Sequence, residues 1–369
     1  MIKKFFLCLI SGVLLLGLSE GGIKRYPLVP SPVFRSKFNH RERAGLVFNE
    51  KGIFALTSRG WMSLITPEGK ILWQKKSFCT PCAPPMVSEG KFYYPCQEGV
   101  MVCGELESGK ELWRFEFKDS SASTPAISDG LVVFQSGQGW VYALDEESGE
   151  LVWLQRLLGA GKKLSLLGAS TPLIDRERVF VASRAGVVAS YQLKTGEMLW
   201  KREIFAGKIL SDLDFPLISD QKTIYPSSKI GISALSKKTG KVFWSLEEQV
   251  LVAPKFFAGN IYLLNQDLEL LKIDASVGLV EERVDLKELE KWHRQKVLGI
   301  FPGEKAVLII TSCRIYSFEP ASEELKLIKK YPGRGQKACL EKGKIYLLSS
   351  KGYLLEISPR ELYCGITNK

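Results

Sequence analysis

From about residue 44 onward the chain alternates short apolar runs with turn-forming residues, as in "PAISDGLVVFQSGQGWVYALDEESGELVWLQRL". The turns at Ser128-Asp129-Gly130, Gly137-Gln138-Gly139 and Ser148-Gly149 divide that stretch into four strands, A to D. Tight turns of this composition join antiparallel neighbours. One segment breaks the rule: in "DLKELEKWHRQ", Leu286, Leu289 and Trp292 fall three apart, which predicts one or two helical turns laid over the core, with Asp285 as N-cap and His293 at the surface.

The four-strand pattern recurs. Gly-x-x-x-Trp is found at Gly69/Trp73, Gly109/Trp113, Gly149/Trp153, Gly196/Trp200 and Gly240/Trp244. A proline opens each unit at Pro85, Pro125, Pro172, Pro216 and Pro254, and the first four lie 28 residues before the Gly-x-x-x-Trp tryptophan of their unit. Continuing that offset from Pro254 reaches Glu282, with Gly278 before it, so a sixth unit keeps the frame without its tryptophan. Two weaker copies follow, "GIFPGEKAVLIITSCRIYSFEPASEELKLI" and "ACLEKGKIYLLSSKGYLLEISP". A single four-stranded sheet cannot bury both faces, whereas sheets packed radially can, which at this repeat length predicts a β-propeller. Each indole then covers apolar surface between blades and each glycine permits its close approach, so the tryptophan row is structural.

The count gives an all-β, eight-bladed propeller of four-stranded antiparallel blades over residues 32–369, starting near Ala44, Ala83, Ala122, Ala169, Leu213, Val252, Gly299 and Ala338. Residues 32–38, "PVFRSKF", imitate the D strand "ELWRFEF", and are expected to close the ring as the outermost strand of the last blade. With proline to tryptophan fixed, length variation must sit between tryptophan and the next proline, where the gaps are 12, 12, 19, 16 and 10 residues. The two longest hold "LSLLGASTP" (164–172) and "LSDLDFPLI" (210–218). Antiparallel alternation puts both on the same face of the disc, where enlarged loops on a rigid scaffold make a docking surface.

Composition adds location more than chemistry. Lys3 and Lys4 precede "FFLCLISGVLLLGLS", a run suited to a signal peptide over residues 1–19 with cleavage before Glu20, the alternative being an uncleaved N-terminal anchor; residues 20–31 read as a linker. No cysteine follows the run with lipobox spacing, and Cys8 lies too early, so no lipid anchor is expected. Of eight cysteines, seven remain after the signal, an odd number that leaves at least one thiol outside intramolecular pairing. "CTPC" (79–82) has redox-motif spacing but sits between strands, and reads as a local disulfide or as two inert thiols. With only His40 and His293 in the chain, no metal site and no catalytic constellation is expected. The formal charge of +11 favours anionic partners in general, but its lysines and arginines are scattered and no nucleic-acid motif accompanies them.

The unit "ALDEESGELVW" resembles the quinoprotein-type propeller repeat. More specifically, "LSLLGASTP" followed by "LSDLDFPLI" on consecutive connectors resembles the paired signature loops of the BamB family of outer-membrane protein assembly factors, over roughly residues 32 to 357. The resemblance implies a periplasmic, non-enzymatic scaffold without a cofactor, docking on POTRA domains of a BamA-like protein, with unfolded outer-membrane proteins as clients. It implies apolar contacts from Leu164 and Leu166 and acidic ones from Asp212 and Asp214; Leu167 stands where the family usually has arginine. On the residues alone, the leucines could instead fold over the blade and the aspartates cap a turn. Two other functions compete: a dehydrogenase using pyrroloquinoline quinone with calcium, which commonly carries adjacent cysteines and long insertions, neither present here, and a generic periplasmic binding propeller.

Overall fold

The computed structural model describes residues 23–27, 45–157, 170–205, 213, 215–286 and 295–357, apart from 58, 67, 184, 185, 321, 323, 332–334, 342, 343 and 350–352. Eight antiparallel sheets follow one another along the chain, each ordered A-B-C-D. Blades 1 to 7 span residues 45–76, 86–116, 126–156, 173–203, 218–246, 255–285 and 297–330. Blade 8 takes strands A to C from residues 335–357. Blade 3 shows the plan: Ala126–Ser128, Leu131–Gln135, Trp140–Asp145 and Leu151–Arg156, with turns at the three predicted places. Strand Leu131–Gln135 is buried throughout, whereas Leu151–Arg156 shows alternate residues to solvent, as expected of a sandwiched and an outermost strand. In blade 5, Pro226 interrupts strand B into Thr223–Tyr225 and Ser227–Ser228, both paired with Gly231–Ser236, because proline has no N–H for the ladder.

Five blade interfaces carry the same latch. The indole N–H of each D-strand tryptophan donates to a carbonyl of the next blade: Trp73 to Leu106 (2.9 Å), Trp113 to Glu146 (3.0 Å), Trp153 to Leu193 (2.8 Å), Trp200 to Lys237 (3.0 Å) and Trp244 to Ala275 (3.0 Å). Three residues beyond each acceptor stands the C–D turn glycine. At Gly149, with φ of +74°, an added Cβ would lie 2.5 Å from the Trp113 ring, so both the backbone conformation and the space require glycine. The latch therefore joins the tryptophan of one repeat to the glycine of the next. Gly69 also has positive φ (+91°), but no tryptophan precedes it in the ring.

The remaining interfaces rely on side-chain packing. Leu264, Leu270, Ile300, Ile309, Tyr316 and Phe318 fill the junction of blades 6 and 7, and Ile310, Ile315, Ile345, Leu347 and Leu355 that of blades 7 and 8. Blade 8 meets blade 1 through Ile53, Ala55, Ile65, Tyr346 and Leu354, with the Phe48 and Tyr346 rings 4.6 Å apart. Strand A of blade 1 lies beside strand A of blade 8, and the ring is closed.

The N-terminal closing strand is Ile23–Pro27, paired antiparallel with Tyr353–Ile357 from Ile23↔Ile357 to Pro27↔Tyr353. This corrects the expected position: residues 32–38 lie outside the described residues, the place assigned to them is taken by 23–27, and the 20–31 segment contains a strand. Pairing at a sheet edge is made by the backbone, so an aromatic placed like the latch tryptophans is no guide to it. Asp285 is the last residue of strand Val280–Asp285 and Leu286 is buried; residues 287–294 of the expected helical segment, with Leu289, Trp292 and His293, are outside the described residues. The signal segment 1–19 also lies outside them.

Cysteine pairing departs from both expected readings of "CTPC". Cys79 bonds to Cys96 (Cα–Cα 5.9 Å), tying the connector after blade 1 to the B–C turn of blade 2. Cys82 turns into the separate core between blades 2 and 3, its thiol directed at the Ala122 carbonyl (3.8 Å). Cys96 stands where other blades carry a turn cap: Thr57, Ser136 and Ser183 each accept the N–H four residues on. Cys103 is a buried thiol, and burial pushes it up to about 12, far from a reactive thiolate.

Candidate partner-docking face

A repeated hydrogen bond assigns the connectors to faces of the disc. The first residue after strand D donates its N–H to the B–C turn of its own blade: Ser77 to Gly60, Phe117 to Gly99, Leu157 to Gly139, Ile204 to Gly186, Leu286 to Leu268 and Tyr331 to Cys313, at 2.6–3.0 Å. D-to-A connectors and B–C turns therefore share one face. The A–B and C–D turns bond to each other on the opposite face, as in Leu106 to Gly90 and Glu146 to Gly130, both 2.8 Å.

The two longest connectors leave this first face from adjacent junctions, blades 3–4 and 4–5. The first departs at buried Leu157 and returns at Ser170, which is 2 % exposed. The second departs at buried Ile204 and returns through Leu213, 1 % exposed and packed with Phe180, Ile204 and Leu217. Phe205, in the left-handed region (φ +54°), lays its ring on Gly231, where a Cβ would come within 3.1 Å of it. Ser170 Oγ donates to the Phe215 carbonyl (3.1 Å), joining the two returning ends. Four buried anchors and one cross-tie thus fix both loop bases at a set separation, the preorganisation that lowers the entropic cost of binding.

The loop tips, including Leu164, Leu166, Leu167, Asp212 and Asp214, lie outside the described residues. The structure does place their frame: the two aspartates flank buried Leu213. Sequence reasoning took that leucine only as the start of a blade and missed Ser170 and Phe215, whose tie spans 45 positions; an apolar residue between two acids was the available signal for Leu213.

Beside the first connector, the Arg156 guanidinium lies over the Trp140 ring, 4.8 Å from its centre, and among the described residues no carboxylate pairs with it. The opposite face is held by internal pairs. Lys237 there is a hub: its ammonium donates to Asp175 (2.7 Å) and to the Asp220 carbonyl (2.5 Å), while its carbonyl accepts from Arg178 (3.0 Å) and Trp200 (3.0 Å). Partial burial pushes the Asp220 carboxyl up, but donors from the Tyr225 hydroxyl and from the Lys222 and Thr223 backbone outweigh it and hold the group below the usual aspartate range. Cys79, Cys96 and Glu98 cluster closely enough for a metal, but the two sulfurs are joined to each other.

Ring, latch and paired connectors define an eight-bladed propeller of the quinoprotein-repeat class. The sequence matches the family described as "Outer membrane protein assembly factor BamB" over residues 58–278 and 137–361. The chain belongs to that family. It is 28% identical over 124 residues to the outer membrane protein assembly factor BamB of Legionella pneumophila (strain Paris), and 26% identical over 125 residues to that of Moranella endobia (strain PCIT). Each match spans 32% of this chain and 32% of the relative. In three dimensions it is similar to BamB from Moraxella catarrhalis (TM-score 0.73, 15% identity, 85% of this chain and 95% of that one). It is also similar to the computationally designed Ika8 protein (TM-score 0.68, 15% identity, 88% and 98%) and to Saccharomyces cerevisiae Sqt1 (TM-score 0.66, 12% identity, 85% and 94%). At such identities these likenesses describe the fold.

Proposed function

We propose that this chain is a periplasmic, non-enzymatic scaffold of outer-membrane β-barrel assembly. It associates with the outer membrane peripherally, by docking the 158–169 and 206–214 connectors on POTRA domains of a BamA-like protein. The observation that carries the reading is the pair of enlarged connectors, leaving one face at neighbouring blade junctions with their returning ends tied by Ser170 and Phe215. Family membership supports the same direction, as do relatives whose names call them assembly factors. Mechanistically the protein contributes binding energy and orientation: Leu164, Leu166 and Leu167 supply apolar contact, and Asp212 with Asp214 meets basic groups on the partner.

The test is association of the purified chain with a soluble POTRA fragment. Leu166→Glu and Asp212→Arg are each expected to weaken it by about tenfold or more without altering the circular dichroism spectrum. Undiminished binding by both variants contradicts the assignment of these connectors.

A further inference from the structure

The outermost strand of each blade has a neighbour on one side only, and soluble proteins guard such edges with charges. Strands Ile71–Lys76, Glu111–Glu116, Met198–Glu203 and Glu324–Lys330 each carry two or more charged residues. Leu151–Arg156 is different: its first five residues, Leu-Val-Trp-Leu-Gln, carry none. Three of them expose apolar side chains, Leu151 at 45%, Val152 at 47% and Leu154 at 39%. Val242–Leu246 also lacks charge, but exposes one large apolar side chain, Phe243.

The backbone of this edge is readable. Leu157 donates its N–H inward to Gly139, and alternation in an antiparallel ladder turns Trp153 and Gln155 inward as well. The N–H and C=O groups of Leu154 and Arg156 therefore point outward, unpaired by any neighbouring strand among the described residues. A bulge between the Leu151 and Trp153 pairings ends the regular edge at its upstream side. The available edge is thus Trp153–Arg156, offering an exposed leucine and, two residues on, an exposed arginine whose guanidinium rests on Trp140.

We infer that strand Leu151–Arg156 is a docking edge for an extended polypeptide that adds to blade 3 as a fifth strand. Its side chains would be apolar beside Leu154 and acidic beside Arg156. Hydrogen bonds to the backbone supply the affinity, and the alternate side chains supply the selection. The inference rests on the scaffold reading for the source of such segments, since chains awaiting assembly into barrels consist of alternating strands. The edge runs directly into the 158–169 connector.

The experiment uses the full chain without any POTRA fragment, so its outcome is independent of connector docking. The probe is a fluorescent eleven-residue peptide of alternating valine and threonine with one central valine replaced by aspartate, followed by anisotropy. Binding is expected to weaken by about tenfold or more for Leu154→Lys, for Arg156→Glu, and for the same peptide N-methylated at alternate amides, while Phe243→Lys changes nothing. Restoration of Arg156→Glu binding by a peptide with lysine in place of aspartate confirms the register. Equal binding of the N-methylated peptide would show a greasy patch without strand addition, and equal binding by Leu154→Lys would show a different site; either overturns the inference, as does an unmodified peptide that fails to bind.

Discussion

The two arcs of the ring solve one packing problem by different means. From blade 1 to blade 6, each junction is pinned by a tryptophan that donates one hydrogen bond across the gap and covers a glycine of the next blade. From blade 6 round to blade 1 no such latch exists among the described residues. Glu282 occupies the tryptophan position of blade 6 and pairs with Lys272 (3.0 Å), and residues 319–324 of the blade 7 C–D turn include no glycine. At the junction of blades 6 and 7 both halves of the latch are absent, whereas blade 1 keeps its turn glycine, Gly69, without a tryptophan before it. Packing in this arc falls to branched aliphatic and aromatic side chains spread over each junction. The arc from blade 1 to blade 6, the docked arc, adds the latch to apolar packing at every junction, whereas the arc from blade 6 to blade 1, the undocked arc, relies on apolar packing alone. The long connectors leave from the docked arc, where their bases stand on the most strongly pinned blades.

The largest effect is expected from Trp153→Ala. Trp153 is 7 % exposed, and its removal leaves a cavity and an unpaired Leu193 carbonyl, a loss of about 3–5 kcal/mol in a urea titration. Ile309→Val, fully buried in the undocked arc, should cost about 0.5–1.5 kcal/mol. A cost of about 3 kcal/mol or more for that one methyl group would contradict a junction whose packing is shared among many side chains. Gly149→Ala comes between them, at about 1–3 kcal/mol, because the new methyl meets the Trp113 ring in a left-handed turn; the double variant with Trp113→Ala should lose part of that penalty, which sharpens the claim that ring and glycine act as a pair.

The smallest effect concerns the polar hub of blades 4 and 5. The Asp220 carboxyl is held below its ordinary value of 3.8, so its contribution to stability is fully present above that value and is lost as pH falls through the lower, folded-state value. Asp220→Asn should therefore flatten the acid limb of a stability-against-pH curve and leave the undocked arc's hydrogen exchange unchanged. An identical acid limb in the variant removes Asp220 from the account.

How much of this was legible in the sequence follows from which groups make each contact. The latch was legible because two scarce residue types recur at a fixed offset, and the blade count because the frame survives at Gly278 and Glu282. The closing strand was misplaced because the contact is backbone to backbone, which "IKRYP" satisfies without a marker side chain. The disulfide was missed because Cys79 and Cys96, separated by 17 positions, meet through the fold of a connector over a turn, while the conspicuous spacing of Cys79 and Cys82 brings two residues into different cores. The connector bases emerged only in three dimensions, since the bond from Ser170 to Phe215 leaves no local pattern.

The central claim is that the face carrying the long connectors meets a POTRA-bearing partner. Amine crosslinking with mass spectrometry on native outer membranes tests it directly, because Lys162, Lys163 and Lys208 lie in those connectors whereas Lys110, Lys194 and Lys238 lie in C–D turns of the other face. The account predicts links from the first three to a POTRA domain and none from the second three. Links from the C–D turn lysines alone would contradict it.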